Sequence, residues 1–157
     1  MPLRFVLDDI AESECDAVVY AATPEALAAG AAPAPGTDPE EEREIFANLG
    51  EDEARITFGN DLYCTYVIHV PDPVWAGDGA DAARLAHCYD VCLGLARDHD
   101  CRSVAFPLIG AGRYGFPEDE ALRTAVKSLS DSPLEVELVF DDKAAFDRAG
   151  EQYPELV

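Results

Sequence analysis

Between Ser103 and Glu118 the chain reads S-V-A-F-P-L-I-G-A-G-R-Y-G-F-P-E. An apolar run ends at Phe106-Pro107, glycines follow at 110, 112 and 115, and Pro117 precedes the acids Glu118, Asp119 and Glu120. Proline suits a first helical position, and acids in a first turn complement the helix dipole. The segment is therefore a strand, a glycine loop and a helix in immediate succession. Glycines let a backbone approach a phosphate with its N–H groups bare, and ligands of open α/β sheets bind beyond the carboxyl ends of strands. The expectation is a phosphate-binding loop.

The rest of the chain repeats the alternation. Strands are expected at Leu3–Leu7, Ala17–Ala21, Ala54–Phe58, Tyr66–Val70, Ser103–Pro107 and Glu135–Phe140, each rich in β-branched or aromatic residues. Helices are expected at Pro39–Leu49, Asp81–His99, Pro117–Leu129 and Asp142–Tyr153. Asp38 is placed to cap the first of these, with Glu41 at the capping-box position. Leu85, Cys88, Tyr89, Cys92 and Leu95 recur at helical spacing in the second. Such alternation argues for α/β layers around a mixed sheet. The 157 residues amount to one domain. Residues 26–39, rich in Ala, Gly and Pro, are expected to form a loop within it.

The glycines also satisfy G-x-G-x-x-G, but they lie after residue 100, only one strand follows them, and Pro117 delays the helix. A dinucleotide-binding half-domain does not fit that placement. No Gly-Lys-Ser/Thr occurs, so a P-loop is excluded. Lys and Arg number 11 against 32 Asp and Glu, a formal charge of −21, and the only lysines are Lys127 and Lys143. That balance argues against DNA, long RNA and anionic membranes. It does not argue against a small anion, because remote carboxylates are screened over about 8 Å at physiological salt. No apolar run approaches membrane-spanning length, and Asp8 and Asp9 interrupt any signal-like stretch; a cytoplasmic location is expected. Cys15, Cys64, Cys88, Cys92 and Cys101 show no zinc spacing, and they read as small core residues, with no metal and no cofactor implied. No Ser/His/Asp triad is apparent: His69 reads as a core or supporting residue, and His87 and His99 as helix-surface residues.

The run Phe106-Pro107-Leu108-Ile109-Gly110-Ala111-Gly112-Arg113-Tyr114-Gly115-Phe116-Pro117 resembles the second ligand loop of macro domains, F-P-x-I-S-T-G-x-Y-G-[FY]-P. Arg55–Gly59 resembles the family's I-T-x-G strand, and Tyr66–Val70 with Pro73 and Trp75 its Y-V-I-H-x-V-G-P-x-W. Leu85–Tyr89 resembles L-x-x-C-Y, and Asp9-Ile10 with Asp16–Val19 the G-D-I…D-A-I-V stretch. The resemblance implies a three-layer α/β/α fold with a central mixed six-stranded sheet, and ADP-ribose or a similar small nucleotide as ligand. It implies that Asp9, beside Ile10, accepts the adenine amino group. Gly110, Ala111, Gly112, Arg113 and Tyr114 would cradle the diphosphate through their backbone N–H groups, Ile109 would be a further ligand-binding residue, and Phe140 would lie near the adenine.

The other half of the pattern departs from the family. Where hydrolytic members read V-N-A-A-N, this chain has Val19-Tyr20-Ala21-Ala22-Thr23. Tyr20 stands where an Asn would contact the distal ribose, and a phenol cannot reproduce a carboxamide's donor and acceptor. Tyr20 is expected to point into, or partly cap, the distal end of the cleft. The first loop carries Pro33 and Pro35 where the family uses glycine amides, and its only candidate for the catalytic acid is Asp38, a residue equally suited to capping a helix. The resemblance thus implies a binding module with weak or no hydrolase activity. Its alternatives are an ADP-ribosyl hydrolase with a rebuilt first loop and a degenerate domain that no longer binds ligand. No protein partner is implied.

Overall fold

A computed structural model describes residues 3–50, 52–111 and 115–157. Six strands, β1 (Leu3–Leu7), β2 (Ala17–Ala22), β3 (Arg55–Phe58), β4 (Tyr66–Pro71), β5 (Ser103–Phe106) and β6 (Glu135–Phe140), form one sheet in the order β1-β6-β5-β2-β4-β3. β3 runs antiparallel to β4, and every other neighbouring pair is parallel. The sheet is therefore mixed, and each expected strand is present to within a residue at either end.

Side chains alternate across the sheet with a period of two. Val19, Val104, Phe106, Val136 and Leu138 face α3 (Asp81–Asp98), α4 (Glu118–Leu129) and α5 (Lys143–Gln152), and bury Leu85, Tyr89, Cys92, Leu122 and Ala149 with them. Val18, Val67, Ala105 and Val139 belong to a second cluster on the opposite face with Cys15, Ala34 and Cys64. Beside it, Ala22 packs with Leu27 and with Ile45 and Phe46 of α2 (Pro39–Ala47). Strands covered on both faces read as continuous apolar runs, which is why β2, β4 and β5 were legible as strands without strict alternation.

One helix was not expected. The stretch from Ala26, read as loop, begins inside α1 (Pro24–Ala28). Thr23 accepts the Ala26 N–H at 3.0 Å, Pro24 occupies the first turn, and Ala26 and Leu27 are buried. The Thr23-Pro24 pair that follows β2 both caps and opens this helix. Short 3₁₀ turns at Ile10–Glu12 and Pro154–Leu156 were also not anticipated. No helix among the described residues is long and apolar enough to cross a membrane.

Parallel direction brings the carboxyl ends of β1, β2, β4, β5 and β6 to one edge of the sheet. The segments that leave those ends form the rim on which the candidate site is built.

Candidate functional site

At one end of the rim lies a cavity of about 360 Å³. Asp9 and Ile10 reach it from the end of β1, Leu108 and Ala111 from the segment after β5, and Phe140 and Asp141 from the end of β6. Four of the residues singled out in the sequence, Asp9, Ile10, Ala111 and Phe140, thus meet around one space. The Asp8 N–H donates to the Phe140 carbonyl at 2.9 Å, which ties the β1 and β6 ends together. Asp9 caps the 3₁₀ turn: its Oδ1 accepts the Ala11 N–H at 3.0 Å. A carboxylate has about four acceptor positions, so a capping Asp keeps capacity for an amino donor. Phe140 is buried and held edge-on between Phe5 and Phe146, with ring centroids 5.5 and 6.0 Å away. Across the cavity, Arg148 of α5 grips Glu118 with two hydrogen bonds of 2.6 and 2.9 Å, which hold the Glu118 carboxyl below its ordinary range.

The glycine loop starts from a fixed base. Ile109 is a core residue, and its N–H donates to the Tyr89 hydroxyl at 3.1 Å. Its side chain packs in the core beneath the loop. Gly110 has φ +86°, and a Cβ there would meet Phe116 at 2.8 Å, so only glycine suits the position. The Phe116 N–H donates to the Gly110 carbonyl at 3.1 Å, and Ala111 bridges Phe116, closing the loop's stem. Trp75 packs edge-on against Phe116 from the segment after β4. Gly112, Arg113 and Tyr114, the remaining cradle residues expected from sequence, lie outside the described residues.

The first loop is pinned by side chains. The Tyr20 hydroxyl donates to the Ala32 carbonyl, and its ring sits edge-on to Phe46 of α2. Tyr20 thus braces the loop, and it lines neither cavity described here. Asp38 is exposed, and its Oδ1 accepts the Glu40 N–H at 3.3 Å as the N-cap of α2. Beneath the loop, Glu42 and His69 are completely buried. Glu42 Oε1 lies 2.6 Å from His69 Nδ1, Glu42 Oε2 accepts the Ala34 N–H at 3.2 Å, and His69 Nε2 lies 2.8 Å from Thr57 Oγ1. His69 is the core residue the sequence suggested. Its partner Glu42 was not foreseen, since an acid in a run of acids reads as solvent-facing.

A larger cavity of about 710 Å³ opens where β2 and β4 end, between α1, α2 and α3. Thr23, Phe46, Asp72, Arg84, His87 and Cys88 are among its walls. Burial pushes the Asp72 carboxyl up to about 7, with the Gly110 backbone amide opposing the rise. Its Oδ1 atom is buried and has no hydrogen-bond partner among the described residues. The sequence held a signal for this residue: Asp72 stands in Tyr66–Trp75 where the family pattern has glycine. The five cysteines are buried, as expected of core residues, and burial pushes the Cys15 thiol up to about 11 and the Cys88 thiol to about 12. His87 and His99 are exposed on α3 and at its end, as expected. Among the described residues no cluster of His, Cys, Asp and Glu is suited to a metal ion.

A family model for the Macro domain matches residues 13–125. A macro domain-containing protein of Mesorhizobium japonicum is 37% identical over 148 residues, covering 90% of this chain and 80% of that protein. A Klebsiella pneumoniae protein named O-acetyl-ADP-ribose deacetylase is 35% identical, covering 89% of this chain and 90% of its own. The solved structure of an Oceanobacillus iheyensis macrodomain with ADP superposes with a TM-score of 0.82 at 25% identity, covering 98% of this chain and 90% of that one.

Proposed function

The chain belongs to the macro domain family, and from that membership we propose that it is a binding module for ADP-ribose or a related nucleoside diphosphate, with weak or no hydrolase activity. The observation that carries this reading is the meeting of Asp9, Ile10, Ala111 and Phe140 around one cavity, with the stem of the glycine loop on its margin. A carboxylate that accepts, beside an apolar wall, suits the exocyclic amino group and flat face of an adenine. The loop that begins at Gly110 suits the diphosphate, which needs backbone N–H donors without side chains in the way. The O. iheyensis relative was solved with ADP, which supports the same ligand class.

A reading as an active ADP-ribosyl hydrolase draws support from the Klebsiella relative's name. The tie of Tyr20 to the Ala32 carbonyl and the exposed place of Asp38, outside the walls of both cavities, weigh against it. Asp9→Ala tests the binding reading. A hydrogen bond to a charged group contributes roughly 1.5–3 kcal/mol, so ADP-ribose affinity is expected to fall about 10- to 100-fold in titration calorimetry, with the fold intact by circular dichroism. Unchanged affinity removes Asp9 from the site.

A further inference from the structure

The two edges of the sheet differ. At one, α5 and the Pro154–Leu156 turn pack on β1, with Tyr153 edge-on to Phe5 at 6.1 Å. At the other, β3 ends the sheet and pairs with β4 alone. Half of the N–H and C=O groups of an edge strand face away from its neighbour and are open to a further strand. Among the described residues, no hydrogen bond outside the β3–β4 ladder uses a backbone group of residues 55–58. The strand also ends on Phe58, a large apolar side chain that is 69% exposed.

An open groove of about 470 Å³ wraps this edge and is lined from both faces of the sheet. On the α3 side, Phe58 stacks on Tyr66 with ring centroids 5.8 Å apart, and Tyr66 sits edge-on to His99 at 5.4 Å. Thr57 points to the other face, where its Oγ1 lies 2.8 Å from His69 Nε2, and Thr37 and Glu41 line the groove from that side. Asn60, in the turn after β3, donates its Nδ2–H to the Gly36 carbonyl at 3.2 Å and holds the first loop's end against the strand. The charge around the groove has one sign. Glu41 and the neighbours in sequence of its wall residues, Asp38, Glu40, Asp61, Asp98 and Asp100, are exposed acids; Arg55 is the one cation so placed. Chain neighbours have Cα atoms about 3.8 Å apart, well inside the screening length of about 8 Å, so these acids act on whatever enters the groove.

Free backbone groups, an exposed aromatic pair and a rim of acids together select an occupant. A second copy of the chain would bring a further formal charge of −21 to the same rim, so pairing of two β3 edges is opposed by like charge. An extended segment rich in Arg and Lys satisfies all three features. We propose that the β3 edge is a docking surface for a basic, extended polypeptide segment, which adds to the sheet as a further strand. Main-chain hydrogen bonds supply its affinity, and alternate side chains its selectivity. Successive side chains of an added strand point to opposite faces. One Arg or Lys therefore meets the Phe58–Tyr66 rings as a cation against aromatic faces, and the next residue in the segment meets Glu41. The surface is independent of the glycine loop and of the cavity by Asp9.

The test is fluorescence anisotropy with a labelled peptide of about ten residues, Val and Thr with Arg-Arg at its centre. One control peptide carries Glu-Glu instead, and another keeps the arginines but has its central backbone nitrogens methylated. The arginine peptide is expected to bind and to slow hydrogen exchange of the β3 amides, and each control to bind at least about 10-fold more weakly. Phe58→Ala is expected to weaken binding about 3- to 30-fold, the range of a cation–aromatic contact. Glu41→Gln is expected to weaken it and to flatten its dependence on salt. Both side chains are exposed, and circular dichroism checks that both variants fold. Binding that the methylated peptide keeps, or that Phe58→Ala leaves unchanged, is general attraction to an acidic surface and overturns the proposal. So do equal binding of the Glu-Glu peptide and no binding at about 1 mM arginine peptide. A dimer in sedimentation that Phe58→Ala dissolves overturns it too, by giving the edge to a second copy.

Discussion

Turnover of mono-ADP-ribosylated protein by this chain is expected to run at least ~100-fold below that of a hydrolytically competent macro domain, the scale of losing general acid–base assistance. Hydrolysis at the distal ribose needs a placed water and a group to polarise it, and orientation alone can account for roughly 7–11 kcal/mol of barrier lowering. The residues that would supply that geometry are engaged elsewhere. The Tyr20 hydroxyl is spent on the Ala32 carbonyl and the Thr23 side chain on the Ala26 N–H, and Asp38 is exposed at the first turn of α2, in the wall of neither the 360 nor the 710 Å³ cavity. Pro33 and Pro35 carry no N–H to offer a ligand. The measurement is release of label from automodified substrate at pH 7 with excess enzyme. Slow release that Asp38→Ala leaves unchanged, while the same substitution costs about 1 kcal/mol of stability as a lost cap, is the expected pair of results. Rapid, complete release abolished by Asp38→Ala would install the hydrolase reading.

The two halves of the site differed in how far the sequence disclosed them. The cavity by Asp9 was legible through the resemblance, which named Asp9, Ile10, Ala111 and Phe140, residues that lie at or beyond the carboxyl ends of β1, β5 and β6. The first-loop side was not, because its structure depends on tertiary partners. Tyr20 was expected at the distal end of the cleft; its partners Ala32 and Phe46 lie in segments whose approach no local pattern encodes. Ile109 lies inside the loop signature, and its large apolar side chain packs in the core. Asp72 was passed over as one acid among many, although it stands where the family pattern has glycine, and it is burial that pushes its carboxyl up.

The largest effect on stability is expected at Glu42, and the reason also bears on the site. The Glu42–His69 pair is fully buried, and Glu42 also takes the Ala34 N–H of the first loop, while His69 reaches Thr57 of β3. One contiguous set of hydrogen bonds therefore joins the loop, α2, β4 and the edge strand. Removing one member of a buried pair strands the other, at a cost of about 3–5 kcal/mol, and the Ala34 N–H left buried adds to the loss. For a domain of this size each kcal/mol lowers the melting temperature by about 2–4 °C, so Glu42→Ala is expected to melt roughly 10 °C lower. Glu42→Gln keeps an acceptor for Ala34 and is expected to lose less. Denaturant titrations at pH 7 compare the two, and limited proteolysis reads the loop. Cleavage within residues 29–36 should rise in Glu42→Ala before global unfolding does, because the loop loses its anchor while the sheet beneath keeps its pairing. A stability loss under about 1 kcal/mol, or a loop no more readily cut than in the unmodified protein, would mean that Tyr20 and the helix caps hold the loop without Glu42.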